Sequence, residues 1–401
     1  MSLATIPARP LPPPARPVAA VPGSKRLSSV DMLRGLVMVV MTLDHVRDYF
    51  TSARFDATDL TQTTVALFLT RWFTHFCAPT FILLAGTSAW LAGRRRSRSE
   101  LAGFLLKRGL WLVLLEFTVV SFGWYFNLRW ELGLRAQVIW AIGISMIALA
   151  GLVHLPRSTI LVIAVAIIAG HNLLDGITPL DAGSLETLWR VLHVQGQLPG
   201  LPVFVTYPLL PWIGVMALGY LIGPFLDLPT DQRRQTLVRL GVAMIAGFLV
   251  LRMLNVYGDP APWSQQRNGL MTTLSFINVT KYPASLQFLL ITLGPALVGL
   301  AFMERLRGQV ADWLRVFGQV PLFYYVAHLY LIHLAAIAGG VLQGYSVGEM
   351  AKVFRQYPGG YGYGLLLVYL VWIAVVVTLY PLCRWFGIKK QGGRGWWWSY
   401  L

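Results

Sequence analysis

One stretch near the N-terminus, RLSSVDMLRGLVMVVMTLDHVRDYF from Arg26 to Phe50, restricts what the rest of the chain can fold into. It has the length and apolar content of a membrane span: a helix rising about 1.5 Å per residue needs about 20 residues to cross a hydrocarbon core. Yet it carries Asp31, Arg34, Asp44, His45, Arg47 and Asp48. One Asp or Arg at mid-span costs roughly 2.5–3.5 kcal/mol on insertion, so such groups face protein or a water-filled cavity, where they serve a function. On a helix advancing about 100° per residue, Asp31, Arg34, Thr42 and His45 fall within an arc of about 80°. The first helix is expected to turn one polar stripe toward the interior of a bundle.

The remaining composition agrees with a bundle in lipid. Of 401 residues, 56% are hydrophobic and 12% charged, about half the charged share of a soluble domain. The fold class is therefore all-α, a polytopic membrane helix bundle. A net charge of +16 would point to nucleic acid in a soluble protein. Here the Lys and Arg stand in short loops beside apolar runs, so they read as topology signals and nucleic acid is excluded as a partner. Cys77 and Cys383 have no metal-like spacing, so neither a disulfide framework nor a metal is expected. Residues 1–25 hold seven prolines. They read as a disordered cytoplasmic tail without the apolar run of a signal peptide. The membrane domain is expected over 26–390, and 391–401 as a cytoplasmic or interfacial tail whose Trp396, Trp397 and Trp398 settle at headgroup level.

Ten spans are read, roughly Met32–Phe50, Thr70–Leu91, Phe104–Tyr125, Ala136–Val153, Thr159–Leu174, Tyr207–Phe225, Leu237–Val256, Pro283–Met303, Phe317–Ala338 and Gly364–Phe386. The run Arg94–Arg98, with Lys107, Arg108, Arg233, Arg234, Arg305, Arg307, Arg315, Lys389 and Lys390, falls on one side of that arrangement. By the positive-inside rule both termini are cytoplasmic. The outer loops at 175–206 and 257–282 are long enough for a lid or substrate vestibule, and equally for plain connections. Asn278-Val279-Thr280 matches a glycosylation sequon and reads as chance.

Depth picks out the groups that could carry chemistry. His45 and His75 each sit about five residues inside the outer end of a span, roughly 7–8 Å deep at helical rise. An imidazole near pKa 6.5 takes and returns a proton close to neutral pH and can carry an acyl group. An intramembrane His is also ordinary glue between helices. Function is favoured for His45, on a stripe with Asp31 and Arg34, while the two readings balance for His75. Asp44 points about 100° from His45, so it orients a neighbour's imidazole more easily than its own. Arg34 and Arg108, near the cytoplasmic ends of spans one and three, could fork onto phosphate. Glu116 at mid-span needs a partner, such as an Arg or His of a neighbouring span. His328 and His333 point some 140° apart and cannot face one site, and His328 is the deeper. Lys281, opening span eight on the outer side, reads as a substrate contact or, more simply, an interfacial anchor. Neither a Gly-rich phosphate loop, nor H-E-x-x-H, nor G-x-S-x-G occurs, so soluble hydrolase and nucleotide-hydrolysing classes have no support.

The run R-L-x-S-V-D-x-x-R-G on Arg26–Gly35 resembles the heparan-α-glucosaminide N-acetyltransferase catalytic-domain family, bacterial branch. So do F-x-A-P-T-F-x-L-L-A-G-T-S at Phe76–Ser88, N-V-T-K-Y-P-x-S-L at Asn278–Leu286, V-P-L-F-Y-Y-V at Val320–Val326, and Y-P-L-C-R-W-F with the terminal W-W-x-S-Y-L. Asp-x-x-Arg-Gly followed by a His late in span one also resembles membrane O-acyltransferases of bacterial surface polysaccharides. The resemblance implies acetyl transfer from cytoplasmic acetyl-CoA to a sugar on the far side of a bacterial cytoplasmic membrane. The lysosomal branch departs twice: it has Asn where this chain has His45, and its active histidine falls where this chain has Asp56. The acceptor, amine or hydroxyl, is left open. The expected assignment is therefore catalytic His45, supported by Asp44 and His75. Arg34, Arg108 and Asp31 would hold acetyl-CoA, and Glu116, His328 and Lys281 the acceptor. Expected partners are membrane lipid, a glycan or amino-sugar acceptor and a possible homodimer. The rival class is a transporter or exporter of a sugar or lipid-linked glycan, which would also bury charges along a path.

Overall fold

All ten apolar stretches form helix in the computed structural model of the protein, which describes residues 28–126, 133–177 and 184–393. The Pro-rich tail and Trp396–Trp398 lie outside the described residues. In chain order the helices are α1 (Ser28–Phe50), α2 (Val65–Phe73), α3 (Cys77–Gly93), α4 (Arg98–Leu115), α5 (Ser121–Tyr125), α6 (Val138–Leu152), α7 (Arg157–Gly170), α8 (Ser184–Leu192), α9 (Leu210–Ile222), α10 (Thr230–Leu254), α11 (Gly269–Ile277), α12 (Leu286–Met303), α13 (Gln309–Gln319), α14 (Pro321–Leu342), α15 (Val347–Met350) and α16 (Leu365–Gly392). Among the described residues, seven helical segments are long and apolar enough to cross a membrane: Val65–Gly93, Arg157–Leu174, Leu210–Asp227, Thr230–Leu254, Leu286–Met303, Pro321–Leu342 and Leu365–Gly392. Of the other three stretches, α1 and α4 are interrupted by charge and α6 is short. The chain is an integral, multi-pass membrane protein.

Several boundaries depart from the sequence reading, each for a local reason. The ninth stretch is not one helix from Phe317. Val320 leaves helical geometry at φ −130°, ψ 50°, and α14 restarts with proline at its first turn. The residue before a proline is driven out of the α region, and Pro321 has no N–H to continue the ladder. The second stretch begins earlier, at Val65, where the Thr64 hydroxyl accepts from Leu67 N, and it tightens to a 3₁₀ turn at Thr74–Phe76. The fourth starts at Val138 because Ala136 belongs to a strand. That strand, β1 (Leu134–Ala136), pairs in parallel with β3 (Val203–Val205), which pairs antiparallel with β2 (Gly196–Gln197). The two long loops thus hold structure of their own: α8, β2 and β3 in the first, α11 in the second.

The core is built round α1, which packs on α3, α12, α13, α14 and α16. Its crossing with α13 brings backbone against backbone. A Cβ on Gly35 would overlap the Leu314 carbonyl, and one on Gly318 would overlap the Asp31 carbonyl. Small residues at a crossing let two helices approach this closely in lipid, where packing rather than the hydrophobic effect holds them.

Candidate active site

The polar stripe of α1 faces α13 and α14. Near its N-terminal end the Arg34 guanidinium donates to Asp31 Oδ1 (3.1 Å), the Gly318 carbonyl (3.2 Å) and Ser88 Oγ (2.9 Å). One cation thus ties α1 to α3 and α13, and Gly35 beside it permits the close crossing. Further along, the Thr42 and Tyr324 hydroxyls lie 2.6 Å apart. One turn on, His45 Nδ1 lies 2.7 Å from His328 Nε2, the rings stacked at 4.9 Å between centroids. Sequence spacing reads His328 as a substrate contact and does not show that it is the direct partner of His45.

The hydrogen bonds assign the tautomers. His328 Nδ1 lies 3.0 Å from the Tyr324 carbonyl. A carbonyl only accepts, so Nδ1 carries the proton and, in a neutral ring, Nε2 is the acceptor. His45 Nδ1–H must then donate to that Nε2. The lone pair of His45 falls on its own Nε2, which makes no hydrogen bond among the described residues, on a side chain that is only partly buried. Trp124 stands edge-on to His45 at 4.9 Å and Tyr325 at 6.4 Å. Trp124 is itself held by Tyr49, whose hydroxyl donates to the Trp124 carbonyl at 2.8 Å. His333 goes to a separate place, its two ring nitrogens at the Gly123 and Met350 carbonyls (3.0 and 3.2 Å).

A cluster of charged groups lies within reach of His45. Asp44 does not orient an imidazole: Oδ1 accepts from Arg47 at 2.9 Å and Oδ2 from Arg71. Arg47 also donates to Asp48 at 2.6 Å. Lys281 is 8% exposed, and its Nζ lies 5.2 Å from the centre of the Tyr282 ring. No carboxylate of the described residues is within ion-pair distance of it, and a buried ammonium in that state is an open demand for an acceptor. His75 is buried against Phe288, its Nδ1 without a partner. Asp44, Arg47, Arg71 and Lys281 are near enough for their charges to act on both His45 and His75. Residue counts read His45 and His75 at a similar depth, and the same four charges act on both. Arg71 was missed, although an arginine four residues before His75 inside an apolar stretch was a readable signal.

Glu116 takes a different partner from the Arg or His expected. It is fully buried at the head of a π-turn, Glu116–Val120. Its Oε2 accepts from Trp140 N at 2.8 Å, where the carboxylate meets the positive end of the α6 dipole. Glu116 Oε2 thus caps α6, while its buried Oε1 has no hydrogen-bond partner among the described residues. Arg108 lies on α4 beside the Gly109–Gly143 contact with α6. Asp56, outside the spans, accepts from the Thr58 N–H (2.9 Å) and hydroxyl (2.8 Å). Burial raises its pKa, but those bonds outweigh burial and leave it below the usual carboxylate value. Both cysteines are free and buried. Among the described residues no group of three or more His, Cys, Asp or Glu is placed to hold a metal ion.

The motif segments thus converge. Asp-x-x-Arg-Gly locks α1 to α13. In A-G-T-S, Thr87 bonds the Gly219 carbonyl at 3.1 Å and Ser88 holds Arg34. N-V-T-K-Y-P delivers Lys281, and F-Y-Y-V delivers Tyr324 beside His328 and Tyr325 beside His45. A family model, "Heparan-alpha-glucosaminide N-acetyltransferase, catalytic", matches residues 26–258. The chain belongs to this family. The matched region contains Arg34, Asp44, His45, Arg71, His75, Arg108 and Glu116, whereas Lys281 and His328 follow it in the chain. Membership makes the protein a transmembrane acyltransferase. No curated protein matches it.

Proposed function

We propose that the protein moves an acetyl group from acetyl-CoA on the cytoplasmic side to an amine or hydroxyl of a sugar on the outer side, with His45 at the reacting centre. The observation that carries this reading is the unbonded Nε2 of His45, left holding its lone pair by the His45–His328–Tyr324 chain. As the acceptor attacks the thioester carbonyl, its proton passes to Nε2. The C–S bond breaks, and the CoA thiolate takes a proton back. His328 Nε2, already accepting from His45 Nδ1, steadies the ring as charge develops on it. Lys281 supplies a fixed positive charge for the oxyanion or the acceptor. Arg108, inside α4 in the half expected to face the cytoplasm, is the candidate for the CoA phosphates, while Arg34, whose donors go to Asp31, Ser88 and Gly318, fixes the helices at that end. Holding donor and acceptor in one passage supplies rate through orientation.

The test is transfer of radiolabelled acetyl from acetyl-CoA into envelope extracts by purified protein in vesicles, wild type against His45→Ala. Loss of transfer with an unchanged melting temperature supports the scheme. Transfer at the normal rate removes His45 from it. Indifference of the wild-type protein to acetyl-CoA, together with movement of a sugar across the vesicle, would make it a transporter.

A further inference from the structure

A groove of about 470 Å³ runs between α10 and α12, far along both helices from the Lys281 end of the molecule. Its walls follow the same helical spacing on each side: Asp231, Arg234, Gln235 and Val238 from α10, and Val298, Ala301, Phe302 and Arg305 from α12 and the turn after it. That spacing puts four residues of each helix on one face. Chemistry is graded along the groove. Arg234, Arg305, Asp231 and Gln235 collect where α10 begins and α12 ends, the side that the basic residues assign to the cytoplasm. Val238, Val298, Ala301 and Phe302 line the deeper part. There the two helices close together, because a Cβ on Gly241 would lie 2.6 Å from the Gly294 carbonyl.

Three observations say what fits. The two groove arginines are under-used. Neighbouring Arg233 is taken by Glu304, at 2.5 and 3.1 Å across the helix pair. Arg234, by contrast, has only a 3.5 Å contact with an Asp231 side chain that is 89% exposed, and no ion pair joins Arg305 to a carboxylate among the described residues. The rim therefore carries two guanidinium charges against one carboxylate, a net single positive charge matched to one phosphodiester. The deeper part is apolar yet open, with Phe302 60% and Val238 38% exposed. Finally, α10 is peripheral, packing on α12 and on the short helix Gly223–Asp227, with Val242, Val250 and Met253 exposed along its outer face. That face meets lipid. A soluble phosphate compound has nothing to place against Val238 and Phe302, whereas a diacyl lipid does.

We propose that this groove is a site for one anionic phospholipid of the cytoplasmic leaflet, its phosphate between Arg234 and Arg305 and an acyl chain along Val238, Val298 and Phe302. The site is independent of the acyl-transfer reading.

Native mass spectrometry of the detergent-purified full chain, titrated with phosphatidylglycerol or phosphatidylcholine of matched chains, tests it. One retained phosphatidylglycerol is expected, bound at least about tenfold more tightly than the choline lipid. The double variant Arg234→Gln, Arg305→Gln should lose roughly tenfold or more in that affinity. Val238→Trp, which fills the apolar part and leaves both arginines, should lose a similar factor and decides the matter if the double variant does not fold. Arg239→Gln and Val250→Trp, exposed on α10 outside the groove, should change it by less than about twofold. Equal retention of the two lipids, or unchanged affinity in Val238→Trp, overturns the proposal. So does displacement of the bound lipid by inorganic phosphate alone, which would show that the apolar part contributes nothing.

Discussion

At its N-terminal end α1 carries Asp31 and Arg34; at its C-terminal end it carries Asp44, His45, Arg47 and Asp48. The two clusters look alike in sequence, and the fold uses them differently. Arg34 is spent on protein: a carboxylate, a hydroxyl and a carbonyl from three different helices. At the other end Arg47 and Arg71 are balanced by Asp44 and Asp48, but His45 Nε2 and Lys281 Nζ have no hydrogen-bonded partner among the described residues. A group whose bonding capacity is filled by protein holds the structure. A group kept half-satisfied in the same surroundings is available to a substrate. His333, both of whose ring nitrogens face protein carbonyls of which a neutral ring can bond one, lies nearer Arg34 on that scale than His45 does.

Substitutions can break or sharpen this contrast. His45→Ala should give the largest effect, a loss of about 10²- to 10⁴-fold in acetyl transfer with little change in melting temperature; a collapse in stability would move His45 to the structural side. Arg34→Ala should do the reverse. It removes charge-assisted bonds each worth about 1.5–3 kcal/mol, so the melting temperature falls while the KM for acetyl-CoA in the surviving folded protein changes little. A raised KM at unchanged stability would instead make this end a donor site. For His328→Leu, kcat should drop about tenfold or more at near-constant KM, because the ring of His45 loses the acceptor that orients it. Lys281→Met is expected to lower kcat/KM by about tenfold through the lost fixed charge, read from steady-state kinetics. The smallest effect belongs to Asp56→Ala, at the position where the lysosomal branch places its histidine: under about 1 kcal/mol of stability and transfer within about twofold. Since Asp56 titrates below the usual carboxylate value when folded, its contribution is present above that usual value. It is lost as pH falls through the lower, folded one, which a melting series in acid would show.

Much of this site was legible before any coordinates. The arc holding Asp31, Arg34, Thr42 and His45 is a property of helical pitch, and those residues do meet α13, α14 and α3. The common depth of His45 and His75 followed from residue counts, and the same four charges act on both. What spacing could not supply was partnership between distant segments. Glu116 was expected to seek an Arg or His and instead caps α6, because the backbone amides of residues 137–140 are invisible as a binding site in sequence. Asp44 was expected to steer an imidazole and is claimed by Arg71, 27 residues later. The break at Val320 was readable from Pro321, and its omission was an error of local chemistry.

The sequence by itself determined that this chain lies in a bilayer as a helical bundle and that its first helix turns charge inward, since hydrocarbon tolerates neither open backbone nor unpaired ions. Only the tertiary structure decided which of the inward groups were to be consumed in holding helices together and which were to stay available. That division depends on side chains brought within about 3 Å of one another from positions hundreds of residues apart, and no local pattern encodes such a distance.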